Sequence, residues 1–305
     1  MRNAPVLTNR VRYHPRRPSQ RETILILNAP SVGDPVGSLV RQLSDRLGSR
    51  LEAELLLSHV LEVERSWLYA HADVTPSEAQ STLVHSLAER RRRGEPLAYL
   101  IGYREFYGRR FIVSPAVLIP RPETELVVET ALEKISKADA AVVDVGTGSG
   151  CIALTLAAER PQWRVSALDW SHQALTVCRQ NAAQLSLADV EILHGDLLAP
   201  VAGRRFDAVV SNPPYVAVED PHLMQGDLRF EPDLALSAEQ GGYAVIQRLV
   251  NQAAVCLRPG GWLIIEHGYD QAEGVQRRLA AAGFTQVSTR KDLAGIDRVT
   301  LGVLA

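Results

Sequence analysis

The tetrad Asn212-Pro213-Pro214-Tyr215 carries more chemistry than any other stretch of the chain. An asparagine side-chain oxygen and the backbone carbonyl of the following proline can together accept both hydrogens of a planar NH2 group. Such a nitrogen is a poor nucleophile, because its lone pair is delocalised, and it reacts only when held in line with the group it attacks. Two acceptors fix it and favour the positive charge that develops on it in the transition state. Pro213 and Pro214 stiffen the turn, so both oxygens are positioned in advance. The ring of Tyr215 offers a face for a planar group. Asn212, Pro213 and Tyr215 are therefore the candidate catalytic residues, and Pro214 belongs to the same binding surface. Asn-Pro-Pro is also an ordinary turn; its place directly after the apolar run Ala208-Val209-Val210 argues for a site instead.

A second cluster precedes it. Asp144-Val145-Gly146-Thr147-Gly148-Ser149-Gly150 lies between a strand pattern and a helix pattern. Glycines there let the backbone turn tightly and let a ligand approach without a Cβ in the way. A dinucleotide fingerprint would place its third glycine where Cys151 stands, so a pyrophosphate site is disfavoured. The spacing resembles the loop of S-adenosylmethionine-dependent methyltransferases. Gly146, Thr147, Gly148, Ser149 and Gly150 are the candidate cofactor residues, with Asn212 at the border of the same pocket. Asp169 closes the next strand and can accept two ribose hydroxyls. Asp196 and Leu197 follow a third strand, where the resemblance implies a border to adenine.

The elements that must position these groups read as two regions. From Ser38 to Gly94 the pattern is helical: Leu39, Leu43, Leu47, Leu51 and Leu55 recur every four residues. Thr75-Pro76-Ser77-Glu78 reads as a capping box that opens a helix ending in Arg90–Arg93. Those arginines complement a helix dipole, which explains them better than nucleic acid does. Residues 95–121 read as a connector hairpin, with Tyr99–Gly102 and Arg110–Val113 as its arms around a wide loop. A helix starts near Glu123. From Ala141 strands and helices alternate, which predicts parallel strands with crossover helices: an α/β, doubly wound sheet. The domains expected are thus an extension over 1–37, a helical bundle over 38–94, the connector, and the sheet domain over 122–305.

Composition bounds the partners. Of 305 residues 46% are apolar and 22% charged, and the net charge is −2. Residues 1–37 carry +4, with six arginines and five prolines, and read as a poorly ordered extension; the remainder carries −6. That balance argues against a protein that grips nucleic acid by charge. No apolar run approaches the roughly 20 residues of a membrane span. Cys151, Cys178 and Cys256 read as reduced and buried, as in a cytoplasmic protein, and the histidines show no metal-ligand spacing.

The motifs together resemble the protein-(glutamine-N5) methyltransferases of the HemK/PrmC type. The resemblance runs from Ser38 to Leu304. It rests on Gly94–Tyr99, on Ile119-Pro120-Arg121-Pro122-Glu123-Thr124-Glu125, on the glycine loop and on the tetrad. Arg229-Phe230-Glu231-Pro232, Glu266-His267-Gly268 and Asp292-Leu293-Ala294-Gly295 complete it. It implies a Rossmann-like methyltransferase domain behind a helical domain that recognises the substrate protein. It implies S-adenosylmethionine as cofactor and, as acceptor, the glutamine of the Gly-Gly-Gln motif in class 1 peptide chain release factors. The protein would act in the cytoplasm as a monomer, without nucleic acid or membrane. Arg121 and Glu123 lie in the segment that would approach the substrate glutamine, although proline followed by acids is also an ordinary helix start. Glu266 and His267 read as structural. The competing acceptors are a ribosomal-protein glutamine and the adenine or cytosine of nucleic acid, which are planar nitrogens too.

Overall fold

The computed structural model describes residues 33–217, 227–239 and 241–305. The expected extension lies almost wholly outside these residues. The chain divides into two compact units, one reaching to Arg92 and one spanning Arg93–Ala305.

In the first unit, α1 (Val36–Leu47) begins two residues before the expected boundary, because Val36 is fully buried. Gly48, in the left-handed region, ends α1, and α2 (Arg50–Leu61) starts afresh with Ser49 as its cap. The four-residue leucine spacing is therefore cut: Leu39 and Leu43 are buried, while Leu51 faces solvent. A short helix, α3 (Arg65–Ala70), precedes α4 (Glu78–Arg92). The capping box is displaced from the expected position. Ser77 Oγ accepts from the Gln80 N–H at 3.3 Å, and Gln80 Oε1 accepts from the Ser77 N–H at 2.9 Å. Ser77 and Gln80 sit three apart, the spacing at which both reach the other's backbone. Within the arginine run, Arg91 makes a two-pronged pair with Glu52 at 2.9 Å on each arm.

Glu54 knots this unit. Its carboxylate is buried and accepts from Arg50 at 2.8 Å, Arg65 at 2.7 Å and the Tyr69 hydroxyl at 2.6 Å. Burial alone would push its pKa up, but the bonds from Tyr69, Arg50 and Arg65 outweigh that and hold it at about 2.

The second unit opens with a correction. Tyr99–Gly102 is not a strand: α5 (Leu97–Ile101) is a short helix after Pro96. The hairpin is tighter, β1 (Tyr103–Phe106) against β2 (Arg109–Ile112), with Phe106 opposite Arg109. Tyr107 and Gly108 both have positive φ, as a two-residue turn of this kind requires. A turn of 3-10 helix (Pro122–Thr124) leads into α6 (Glu125–Lys134).

Then comes the alternation: β3 (Ala141–Val145), α7 (Cys151–Glu159), β4 (Arg164–Asp169), α8 (His172–Gln184), β5 (Glu191–His194) and β6 (Phe206–Ser211). The short strands β7 (Val216–Ala217) and β8 (Ser237–Ala238) pair with each other, and α9 (Asp233–Leu236) precedes β8. After α10 (Ala244–Cys256) follow β9 (Leu257–Glu266), α11 (Ala272–Ala281), β10 (Phe284–Lys291) and β11 (Asp297–Leu304). The seven-stranded sheet has the order β10-β11-β9-β6-β3-β4-β5. Its strands are parallel from β9 to β5. β11 runs antiparallel to both β9 and β10, against the expectation of parallel strands throughout. The reason is the short link between β10 and β11, since a parallel return needs a dozen residues or more. The central parallel strands are buried on both faces: all five residues of β3 are buried, with one apolar cluster on each side of the sheet, while the edge strand β5 is partly exposed.

Glu54→Gln is expected to lower the stability of the helical unit by about 1–2 kcal/mol at neutral pH, measured by denaturant unfolding. The carboxyl's folded pKa lies below its unfolded value, so its contribution is present above about pH 4.5 and fades as pH falls toward 2. The difference between wild type and variant should therefore shrink over that window.

Candidate functional site

The chain goes one way from β3 to β4 and the other way to reach β6, so β3 and β6 flank the topological switch point. There the loops diverge and leave a crevice at the carboxyl ends of the strands. The glycine loop follows β3 and the tetrad follows β6. Val145 and Ser211 are register partners, and the buried Ser211 hydroxyl donates to the Val145 carbonyl at 2.6 Å, tying the two strand ends together.

The glycine loop is fastened from beneath. The N–H groups of Gly146 and Thr147 both donate to the Leu168 carbonyl at 2.9 Å. The Thr147 hydroxyl donates to Asp144 Oδ2 at 2.6 Å, and the Ala153 N–H reaches the same oxygen. Burial pushes the Asp144 carboxyl up to about 7 against these bonds. Gly146, Gly148 and Gly150 all have positive φ. At Gly150 no other residue fits: a Cβ would lie 2.7 Å from the Cys178 sulfur and 2.9 Å from Leu154. At Gly148 the surroundings are the reverse, with no heavy atom within 4 Å of a Cβ. A Cβ at Gly146 would meet only the Asn212 backbone carbonyl, at 3.9 Å. The loop thus faces open space on one side and the tetrad on the other. Ser149 is buried, and its carbonyl accepts from the buried Asn181 at 2.9 Å. The Asn181 amide also bonds both Ile112 backbone groups, so it joins loop, hairpin and α8.

Asp169 ends β4 with its carboxylate held by two backbone donors, Gly148 N–H on one oxygen and Ser171 N–H on the other, each at 2.8 Å. Burial raises its pKa, and these bonds oppose the rise. A carboxylate has about four acceptor sites, so two remain for a diol. Open space at Gly148 and a pre-oriented carboxylate next to it fit the amino-acid part and the ribose of S-adenosylmethionine. The exposed indole of Trp170 follows directly, an aromatic side chain that spacing arguments overlooked. Asp196 is engaged on the surface by Arg248. Leu197 has positive φ and packs on the apolar cluster, so it supplies no stacking face.

In the tetrad, Asn212 Nδ2 donates to Thr124 Oγ1 at 3.1 Å. One end of the amide is thereby used, and Oδ1 is the end left for an acceptor. Pro213 is buried and Pro214 half-buried. The Tyr215 carbonyl accepts from Gln271 Nε2 at 2.9 Å, and its hydroxyl donates to Glu266 Oε1 at 3.3 Å. Burial and the neighbouring Glu266 push the Tyr215 phenol well above its ordinary range. Glu266 is itself buried, which raises its pKa to about 7; hydrogen bonds from Thr124 and Tyr215 pull the other way. His267 bridges the Gly268 carbonyl and the Thr300 hydroxyl, both at 2.8 Å, in a wholly internal position.

The two residues singled out in the Ile119–Glu125 segment are not those that touch the tetrad. Arg121 pairs with the buried Glu231 at 2.5 Å, and Glu231 also accepts the Ile119 N–H at 3.1 Å. Glu123 is exposed. Thr124, between two glutamates, is the residue that reaches Asn212. Nothing in the local sequence marks it, since its partner lies 88 residues away.

Residues 38–102 match the family model of the PrmC N-terminal domain, and residues 122–226 that of the methyltransferase small domain. Two curated relatives bear the name release factor glutamine methyltransferase. That of Xylella fastidiosa (strain Temecula1) is 48% identical over 83% of this chain and 92% of its own length. That of Escherichia coli K12 is 41% identical over 86% and 95%. Among solved structures, the hMettl16 catalytic domain in complex with MAT2A 3′UTR hairpin 6 shares the fold with a TM-score of 0.53. It is 16% identical and covers 77% of this chain and 85% of that one.

Asp169→Ala is expected to weaken the affinity for S-adenosylmethionine about tenfold to a hundredfold, as two charge-assisted hydrogen bonds would be lost. Titration calorimetry checks this; unchanged affinity would tell against a ribose contact.

Proposed function

The chain belongs to the release factor glutamine methyltransferase family, and from that premise we propose that its acceptor is the glutamine of the Gly-Gly-Gln motif in class 1 release factors, held by the Asn212–Tyr215 tetrad. It is an S-adenosylmethionine-dependent enzyme that methylates a glutamine of release factors. One observation carries the finer reading: the Asn212 amide has its NH2 end bound to Thr124, so its oxygen is the end presented at the switch point, beside the glycine loop.

The cofactor supplies a methyl group made electrophilic by a sulfonium. Gly146, Thr147, Gly148, Ser149 and Gly150 would hold it, with Asp169 at its ribose. On the acceptor side, Asn212 Oδ1 takes one N–H of the glutamine carboxamide and the Pro213 carbonyl takes the other. With both hydrogens fixed, the nitrogen's remaining direction is toward the methyl carbon. Both oxygens carry partial negative charge and favour the cation that develops on nitrogen. No strong base is needed beforehand, because the proton becomes acidic only as the new bond forms. Tyr215 lays its ring against the planar carboxamide, and its buried hydroxyl is held by Glu266. Arg121 and Glu123 would act at the edge of this site, Arg121 through its pair with Glu231.

The helical domain ahead of the sheet would recognise the release factor. A net charge of −2, and −6 without the first 37 residues, supports a protein acceptor over nucleic acid. Among the described residues no helix is long and apolar enough to cross a membrane. We take the enzyme to act as a cytoplasmic monomer.

The test is to incubate purified enzyme with labelled S-adenosylmethionine and a class 1 release factor, then map the label by peptide mass spectrometry. One methyl group on the Gly-Gly-Gln glutamine is expected. Label elsewhere in the release factor, in a ribosomal protein or in nucleic acid would overturn the assignment. Asn212→Ala should lower kcat about tenfold to a hundredfold by removing one transition-state hydrogen bond. Cofactor affinity should be retained, and normal turnover would contradict the role.

A further inference from the structure

The carboxyl of Glu266 closes β9 in a fully buried position, next to β6 and the tetrad. Tyr215 donates to Oε1 at 3.3 Å, and Oε2 is buried without a hydrogen-bond partner. The Thr124 hydroxyl, also buried, is close enough to lower the carboxyl's pKa as a donor does. A hydroxyl has one hydrogen and two lone pairs. With the hydrogen of Thr124 turned to that unpartnered oxygen, its own oxygen can only accept. What it accepts is the NH2 of Asn212, at 3.1 Å.

An asparagine amide is nearly symmetric in shape, and a half-turn about its last bond exchanges oxygen for nitrogen. In the wrong orientation it would present two donors to a substrate NH2 that also has only donors, and the acceptor could not bind productively. Something must choose the orientation, and only a group that is purely an acceptor at this point can do so. Thr124 alone could rotate its hydrogen toward Asn212 and select the opposite orientation. Thr124 with its hydrogen drawn to Glu266 cannot.

We propose that Thr124 and Glu266 are positioning residues for methyl transfer, which set the Asn212 amide with its oxygen toward the acceptor glutamine. This rests on the reading of Asn212 given above. The relay runs through three elements distant in sequence: the 3-10 turn Pro122–Thr124, the end of β6 and the end of β9. Through Tyr215 the same carboxyl also fixes the ring at the other end of the tetrad. Thr124 reaches its place because the turn is short and its N–H is bonded to the Arg121 carbonyl at 3.1 Å. Arg121 is in turn anchored on Glu231.

The experiment measures single-turnover methyl transfer to a release factor at saturating concentrations of both substrates, with cofactor affinity followed in parallel. Thr124→Val keeps the shape and removes the hydroxyl. It should slow transfer about tenfold or more, with cofactor affinity nearly unchanged. Thr124→Ser, which keeps the hydroxyl, should restore most of the rate. If Thr124 acts through Asn212, adding Thr124→Val to Asn212→Ala should cost less than about twofold further, because the group it orients is already gone. Thr124→Ala repeats the comparison with less crowding, should the valine disturb packing. Full multiplication of the two losses, or a wild-type rate in Thr124→Val, or a serine variant as slow as the valine, overturns the proposal. A wild-type rate in Asn212→Ala alone overturns the reading of Asn212 beneath it. An impaired Asn212→Ala with independent Thr124 effects overturns only the relay.

Discussion

In the proposed mechanism a single hydrogen bond, from the NH2 of Asn212 to the hydroxyl of Thr124, decides what the crevice can do. It engages the amide nitrogen internally through one N–H and, on this reading, leaves the oxygen for a substrate. A site with two acceptors suits a nitrogen with two hydrogens. An oxygen nucleophile has one hydrogen to give, and a tertiary nitrogen has none. A preference for a planar NH2 group is therefore built into the hydrogen-bond polarity of the turn, and the choice of a protein carboxamide over a nucleobase falls to contacts with the rest of the acceptor.

That bond is short of meaning without the frame around it. Asn212 follows β6, whose end is pinned to β3 by Ser211. β3 carries the glycine loop, which Asp144 secures from below and Asp169 from the side. Asn181 then fastens the loop to α8 and to the β1–β2 hairpin. Each fastener is a buried or half-buried polar group with at least one bond to backbone, so a change at one of them moves main chain as well as side chains. The result is a loop and a turn held by the same two neighbouring strands, with little freedom to drift apart.

Much of this was legible in the chain itself. The alternation after Ala141 forecasts the doubly wound sheet, and the glycine loop and tetrad mark their two sides of the switch point. Three things were hidden. The first arm of the hairpin was misplaced because Tyr99–Gly102 is as apolar as a strand, while the turn at Tyr107-Gly108 depends on a positive φ that tyrosine rarely adopts. The capping box fell on Ser77 and Gln80 because two overlapping strings satisfy the same spacing, and only the hydrogen bonds choose between them. In the Pro122–Glu125 segment the charged residues drew notice. Yet Arg121 turns to Glu231, Glu123 faces solvent, and the quiet threonine between the acids meets Asn212. Contacts spanning 88 residues leave no local trace.

The most direct measurement is a high-resolution crystal structure of the enzyme with S-adenosylhomocysteine and a release factor. The account requires the glutamine side-chain nitrogen at about 2.7–3.2 Å from both Asn212 Oδ1 and the Pro213 carbonyl. Asn212 Nδ2 should still rest on Thr124. A glutamine whose nitrogen lies away from both oxygens, or an Asn212 amide turned to offer its NH2 to the substrate, would contradict it.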